Sequence, residues 1–172
     1  MTGLDADRES IISISCFITD AQLNLFDDHG FDTVIHHSSE RLSQMDGWCT
    51  RTHGQSGLTQ AAIDSTTTAQ QAAEGLLAYV KKYVSQPGTA LLAGNSIHAD
   101  KMFLSKPPFE AVLAHLHYRL FDVSAIKEAL RRWAPDYILH AAPKKQGLHQ
   151  ARDDILESIE EARYYQGLFQ NL

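Results

Sequence analysis

The sequence predicts a mixed α/β domain: a small β-sheet with helices packed on its faces. Three observations carry this. Apolar residues at every second position, Ile12, Ile14, Cys16 and Ile18, with Ser13 and Ser15 between, mark a half-buried strand. Ala73, Leu76, Leu77, Val80 and Val84 fall on one helical stripe. The short apolar run 90–93 is then followed by a glycine turn and a new helical pattern, the signature of alternating strand and helix.

Taken in order, Ile12, Ile14, Cys16 and Ile18 face one side of the first strand, with Ser13 and Ser15 between them. Asp20-Ala21-Gln22 reads as a turn, residues 23–26 as a second strand and residues 31–35 as a third, making an antiparallel meander. Residues 48–53 suit a short helix, broken by Gly54 and Gly57. Thr68 and Gln71 have capping-box spacing ahead of the long stripe, and Pro87-Gly88 ends that helix. Residues 90–93 are apolar throughout, as expected of a strand covered on both faces. A helix starts near Ile97. Leu116, Tyr118 and Leu120 alternate as another strand, and Asp122 can cap the next helix, whose stripe is Ile126, Ala129, Leu130 and Trp133, bounded by Pro135. The last helix turns Ile155, Ile159 and Ala162 inward.

The chain has 172 residues, which suits one domain, residues 1–172. No apolar run approaches the roughly 18–20 residues that span a bilayer. The first ten residues are polar and acidic, unlike a secretory leader. Two cysteines cannot build a multi-bridge framework, so a reducing intracellular compartment is expected. The net charge of −6 argues against tracking along long nucleic acid, which rewards many lysine and arginine contacts to phosphate. It suits a carboxylate-rich site neutralised by a divalent cation.

Three groups of residues can carry chemistry. Asp100 follows the buried strand and the Gly94-Asn95-Ser96 turn, at the end of the sheet where ligands bind in open α/β folds. An acid on the solvated face of a helix would look the same. His149 and Asp154 could pair a general base with a metal-binding carboxylate. Five residues span about 140° on a helix, which places the histidine on the loop before it. Acids complementing a helix N-terminus are the other reading. Ser96, Arg119, Ser124 and nearby Lys127 suit a terminal phosphate, or equally helix caps and a solvated face. The other histidines lack the tight spacing of zinc ligands.

In combination and order these stretches resemble oligoribonuclease, a branch of the exonucleases that use four acids and a histidine. The matching segments are Met1-Thr2-Gly3-Leu4-Asp5, Asp46-Gly47-Trp48-Cys49, His53 to Leu58, Gly94 to Asp100, His115 to Arg119, Asp122 to Trp133, and His149 to Asp154. The resemblance implies an RNase H-like mixed sheet, a homodimer, and two Mg²⁺ or Mn²⁺ ions. It also implies 3′→5′ hydrolysis of RNAs from a dinucleotide up to a pentanucleotide, in the cytosol or in mitochondria. It assigns Asp100 and Asp154 to the metals and His149 to deprotonation of the attacking water. Ser96, Arg119 and Ser124 would grip the 5′ phosphate, which limits substrate length. Thr2, Gly3 and Leu4 would meet the substrate, with Leu4 wedged against the bases. Trp48, His53 and Tyr118 would contact it too, Tyr118 reaching across from the partner subunit.

The resemblance also places an Asp-x-Glu on a central strand directly before Met-Thr-Gly-Leu-Asp, and these 172 residues begin at that methionine. The expectation is a sheet without its first central strand, weaker metal binding and impaired turnover, with the native start lying upstream. The alternative is a catalytically dead, nucleotide-binding homodimer.

Overall fold

The computed structural model describes residues 1–144 and 151–170. Strand β1, Ser13–Cys16, pairs antiparallel with β2, Phe31–Val34. The Ile35 amide donates to the Ile12 carbonyl at 2.7 Å, carrying the pairing one step further. The strand expected over residues 23–26 does not form, and only an isolated bridge joins Thr19 to Leu25. The Asp20 carboxylate is the reason. It accepts from the amides of Gln22 and Asn24 at 2.9 and 2.8 Å, curling the chain into a turn with Leu23 left-handed at φ 65°.

Four helices follow: α1, Ser39–Leu42; α2, Gly47–Gln55; α3, Leu58–Asp64; and α4, Ala69–Tyr83. Asp46 caps α2 through the Cys49 amide at 2.7 Å. Gly57, at φ 77°, takes the left-handed turn that separates α2 from α3. The capping box at Thr68 and Gln71 is present in both directions, at 3.2 and 2.9 Å. The predicted stripe of α4 is buried, with Ala73, Leu76 and Val80 packed beside Ile11, Ile35, Phe103 and Val112.

Strand β3, Leu91–Gly94, lies parallel to β4, His117–Asp122, joined by helices α5, Ile97–Leu104, and α6, Glu110–His115. The β3 strand is not covered on both faces as expected. Leu92 packs into the core while Leu91 and Ala93 are exposed. The described strands form two separate two-stranded sheets. After β4 come α7, Val123–Trp133; α8, Asp136–His140; and α9, Ala151–Gln170. Ile126 and Leu130 of α7 join Val123, Ala162 and Tyr165 in a separate cluster, whereas Trp133 is exposed.

Helix α9 packs against both β1 and β3 and so bridges the two sheets. Its buried residues are Ser158, Glu161, Ala162 and Tyr165, with Ile155 and Ile159 only partly covered. Among the described residues no helix is long and apolar enough to cross a membrane.

Candidate active site

The parallel register sets Gly94 opposite Asp122, so the carboxyl ends of β3 and β4 open side by side. Each feeds a turn and a helix. From β3 come Asn95 and Ser96, then α5 with Asp100 in its first turn. From β4 come Asp122 and then Ser124 in the first turn of α7. Ser96 adopts φ 52°, ψ 37°, a left-handed conformation unusual for a residue with a Cβ. Its amide donates to Asp122 Oδ1 and to Ser124 Oγ, each at 3.1 Å. Asp122 Oδ1 also accepts the Ser124 amide at 2.9 Å, capping α7 as the sequence suggests. The hydroxyls of Ser96 and Ser124 stand 3.5 Å apart, so two members of the predicted phosphate set meet.

Arg119 is exposed on β4, its guanidinium 5.2 Å from the centre of the Tyr118 ring. Tyr118 is 72% exposed and stacks on His117 at 4.5 Å. Lys127 does not belong to the phosphate set. Its ammonium donates to Glu161 Oε1 at 3.1 Å, and that carboxylate is 2% exposed.

Burial pushes the Asp100 carboxyl above its ordinary range, outweighing the opposing pulls of its own backbone amide and of His98. A carboxylate in such a place gains from a nearby cation. The Met1 carbonyl meets His53 Nε2 of α2 at 2.9 Å. The Trp48 and His53 rings lie edge to face, 6.4 Å apart. His53 is buried and serves as a support for the Met1 backbone, while Trp48 reaches solvent beside it.

Thr2 differs from its expected role as a substrate contact, because its side chain is fully buried. Its hydroxyl donates to Glu9 and accepts from the Ser10 amide at 2.9 Å and from Arg41 at 3.0 Å. Gly3 passes directly over Glu9, where a Cβ would lie 2.9 Å from Glu9 Cγ, so any larger residue would push the Glu9 side chain aside. This anchored stretch presents Leu4, which is 81% exposed, beside Met102 and Ser105 of the α5 end.

Asp154 lies in the first turn of α9. Its carbonyl accepts Ser158 Oγ at 2.7 Å, and Ser158 Oγ accepts Asn95 Nδ2 at 2.8 Å. The helix carrying Asp154 is thereby tied to the turn preceding Asp100. Upstream on the same helix, the Arg152 guanidinium holds the Asp28 carbonyl at 2.7 Å and lies 4.9 Å over Phe17. His149 lies outside the described residues. Among the described residues no three His, Cys, Asp or Glu side chains gather as a metal cluster. The sequence reading missed Asn95 and Glu161. A signal was available: Asp154, Ser158, Glu161 and Tyr165 recur at helical spacing, a polar stripe on one face of α9.

Comparison with known proteins defines the class. The family model described as Exonuclease matches residues 1–162. The chain therefore belongs to the exonuclease family and is a nuclease. Similar proteins include the mitochondrial oligoribonuclease of Mus musculus, 48% identical over 168 residues, which are 96% of this chain and 68% of that one. The human mitochondrial oligoribonuclease is 47% identical over 167 residues, with the same shares covered. The oligoribonuclease of Marinobacter nauticus is 47% identical over 171 residues, 98% of this chain and 91% of that one. Within the exonucleases, this chain sits in the oligoribonuclease branch.

Proposed function

We propose that residues 1–172 form one 3′→5′ exoribonuclease domain that hydrolyses very short RNA, dinucleotides above all, with two Mg²⁺ or Mn²⁺ ions. The observation that carries the reading is the convergence at the ends of β3 and β4. Ser96 and Ser124 stand hydroxyl to hydroxyl at 3.5 Å, Asp100 rides on the helix that Ser96 opens, and Asp154 lies on the helix that Asn95 and Ser158 tie to the same turn.

Asp100 and Asp154 offer the donor chemistry that divalent ions take. The donors are hard carboxylate oxygens, and burial leaves the Asp100 carboxylate poorly solvated. Asp100 and Asp154 are the residues that would hold the ions, with water and substrate phosphate completing the coordination, as Mg²⁺ prefers. Bound there, divalent ions stabilise the negative charge that builds on the phosphoryl oxygens.

The chain's own residues supply the rest. His149 takes a proton from the attacking water. The water oxygen bonds to phosphorus as the bond from phosphorus to the 3′ oxygen breaks, and that oxygen leaves with a proton. The Ser96 hydroxyl and Arg119 donate to the terminal 5′ phosphate at the far end, with Ser124 fixing Ser96 in place beside it, so a longer RNA cannot seat. Leu4 packs against a base from one side, supported by the Glu9–Arg41–Thr2 cluster, and Trp48 offers its exposed ring for contact. In a homodimer, the exposed Tyr118 reaches the partner's substrate. Mitochondria or cytoplasm is the expected compartment, in keeping with the mitochondrial relatives of mouse and man.

The test is a labelled diribonucleotide with Mn²⁺. Release of mononucleotides supports the enzyme. Binding without cleavage supports the alternative of a nucleotide-binding homodimer.

A further inference from the structure

The polar network beneath Ser96 extends well below the surface, and Asn95 is its centre. Asn95 Nδ2 donates to Ser158 Oγ at 2.8 Å and to Glu161 Oε2 at 3.2 Å, while its Oδ1 accepts the Ser124 hydroxyl at 2.9 Å. Glu161 is nearly sealed from solvent, and its other oxygen already accepts Lys127 Nζ at 3.1 Å and the Tyr165 hydroxyl at 2.8 Å. A carboxylate accepts and does not donate. Glu161 therefore turns the NH₂ end of the Asn95 amide towards α9 and its oxygen towards Ser124.

That orientation has a consequence at the surface. The Ser124 hydrogen is committed to Asn95, so the Ser124 oxygen presents a lone pair to the Ser96 amide. This bond, with that of Asp122, holds Ser96 in its left-handed conformation, which a residue with a side chain keeps only under constraint.

We propose that Asn95, oriented by Glu161, is a positioning residue that sets the preference of this site for a terminal phosphate. It touches no reacting atom. It fixes the Ser96–Ser124 pair and, through Ser158, links that pair to the helix bearing Asp154. The inference rests on the phosphate-grip reading above.

Two single variants and one double variant test it. Asn95→Asp sets a carboxylate oxygen against Glu161 and pushes the turn away, and Asn95→Ala removes the link. Asn95→Asp combined with Glu161→Gln exchanges donor for acceptor and keeps the charge, so the amide at 161 donates to the carboxylate at 95. Affinity is measured for a 5′-phosphorylated diribonucleotide and for its 5′-hydroxyl counterpart, in Ca²⁺ to hold the ligand without turnover. Thermal melting of each variant serves as the folding control. The unaltered protein favours the phosphorylated ligand. Either single variant reduces that ratio roughly tenfold, the worth of a hydrogen bond to a charged group, and the double variant restores most of it. Equal loss for both ligands, or an unchanged ratio in the single variants, overturns the inference while leaving the phosphate grip intact. No preference in the unaltered protein overturns the grip, and the inference with it.

Discussion

Replacing Glu161 by alanine should destabilise the fold by about 3 kcal/mol, and the figure follows from what the carboxylate touches. Tyr165 is fully buried, and its hydroxyl donates to Glu161 Oε1 at 2.8 Å. Without that acceptor, a buried donor left unmade costs about 1–3 kcal/mol. Lys127 is 39% exposed and can turn to water, so its lost attraction adds little. Asn95 keeps Ser158 and loses one of its two partners on α9. The void left by the truncated side chain adds the remainder. For a chain of this size that amounts to a fall of about 10 °C in Tm. Glu161→Gln keeps an acceptor for Tyr165 and Lys127 but turns an amide NH₂ towards that of Asn95, so its loss should be smaller, about 1 kcal/mol. Urea unfolding followed by circular dichroism, with thermal melts alongside, measures both. A loss below about 1 kcal/mol for the alanine variant would refute the reasoning, because it would mean that water or a neighbour takes over the acceptor role.

Three further outcomes are expected. His149→Ala should lower the rate of dinucleotide cleavage by roughly 100-fold or more while leaving substrate affinity unchanged, read by single-turnover kinetics beside equilibrium binding. Arg119→Ala should erode the preference for dinucleotides over longer RNA by roughly tenfold, read by competition between the two lengths; an unchanged preference contradicts the grip. Hydrogen bonds from the Tyr83 hydroxyl, the Gly30 amide, the Tyr79 hydroxyl and the His29 amide hold the Asp27 carboxyl down at about 2, from 3.8. A depressed carboxyl pKa gives stability that is present above the unfolded value and lost as the pH falls through the folded one. Stability should therefore drop between about pH 4 and pH 2, and Asp27→Asn should flatten the profile of urea midpoints across that window.

The sequence shows local rules more readily than buried polar order. The capping box at Thr68 and the cap at Asp122 were legible because each depends on residues within one turn of each other. The stripe of α4 was legible because apolar residues mark its buried face. On α9 the same logic pointed to Ile155 and Ile159, yet Ser158, Glu161 and Tyr165 lie deeper. Their burial depends on Asn95 and Lys127, partners distant in the chain, and hydropathy carries no trace of such pairing. Trp133 shows the converse: it sits at the expected spacing on α7 and is exposed. At the site, the sequence named Ser96 and Ser124, and the fold joins them. It named Thr2 for the substrate, whereas the fold uses that hydroxyl to tie Glu9 and Arg41 beneath Gly3 and Leu4. Lys127 has the charge to meet a phosphate and is instead claimed by Glu161.

The central claim is that carboxylates on α5 and α9 hold divalent ions at the end of a minimal RNA. Its most direct test follows mononucleotide release from a labelled diribonucleotide across a Mn²⁺ titration, for the unaltered chain and for Asp154→Ala. Release should rise with Mn²⁺, stop on chelation and vanish in the variant. Release that persists in chelator, or that survives loss of the Asp154 carboxylate, would contradict it.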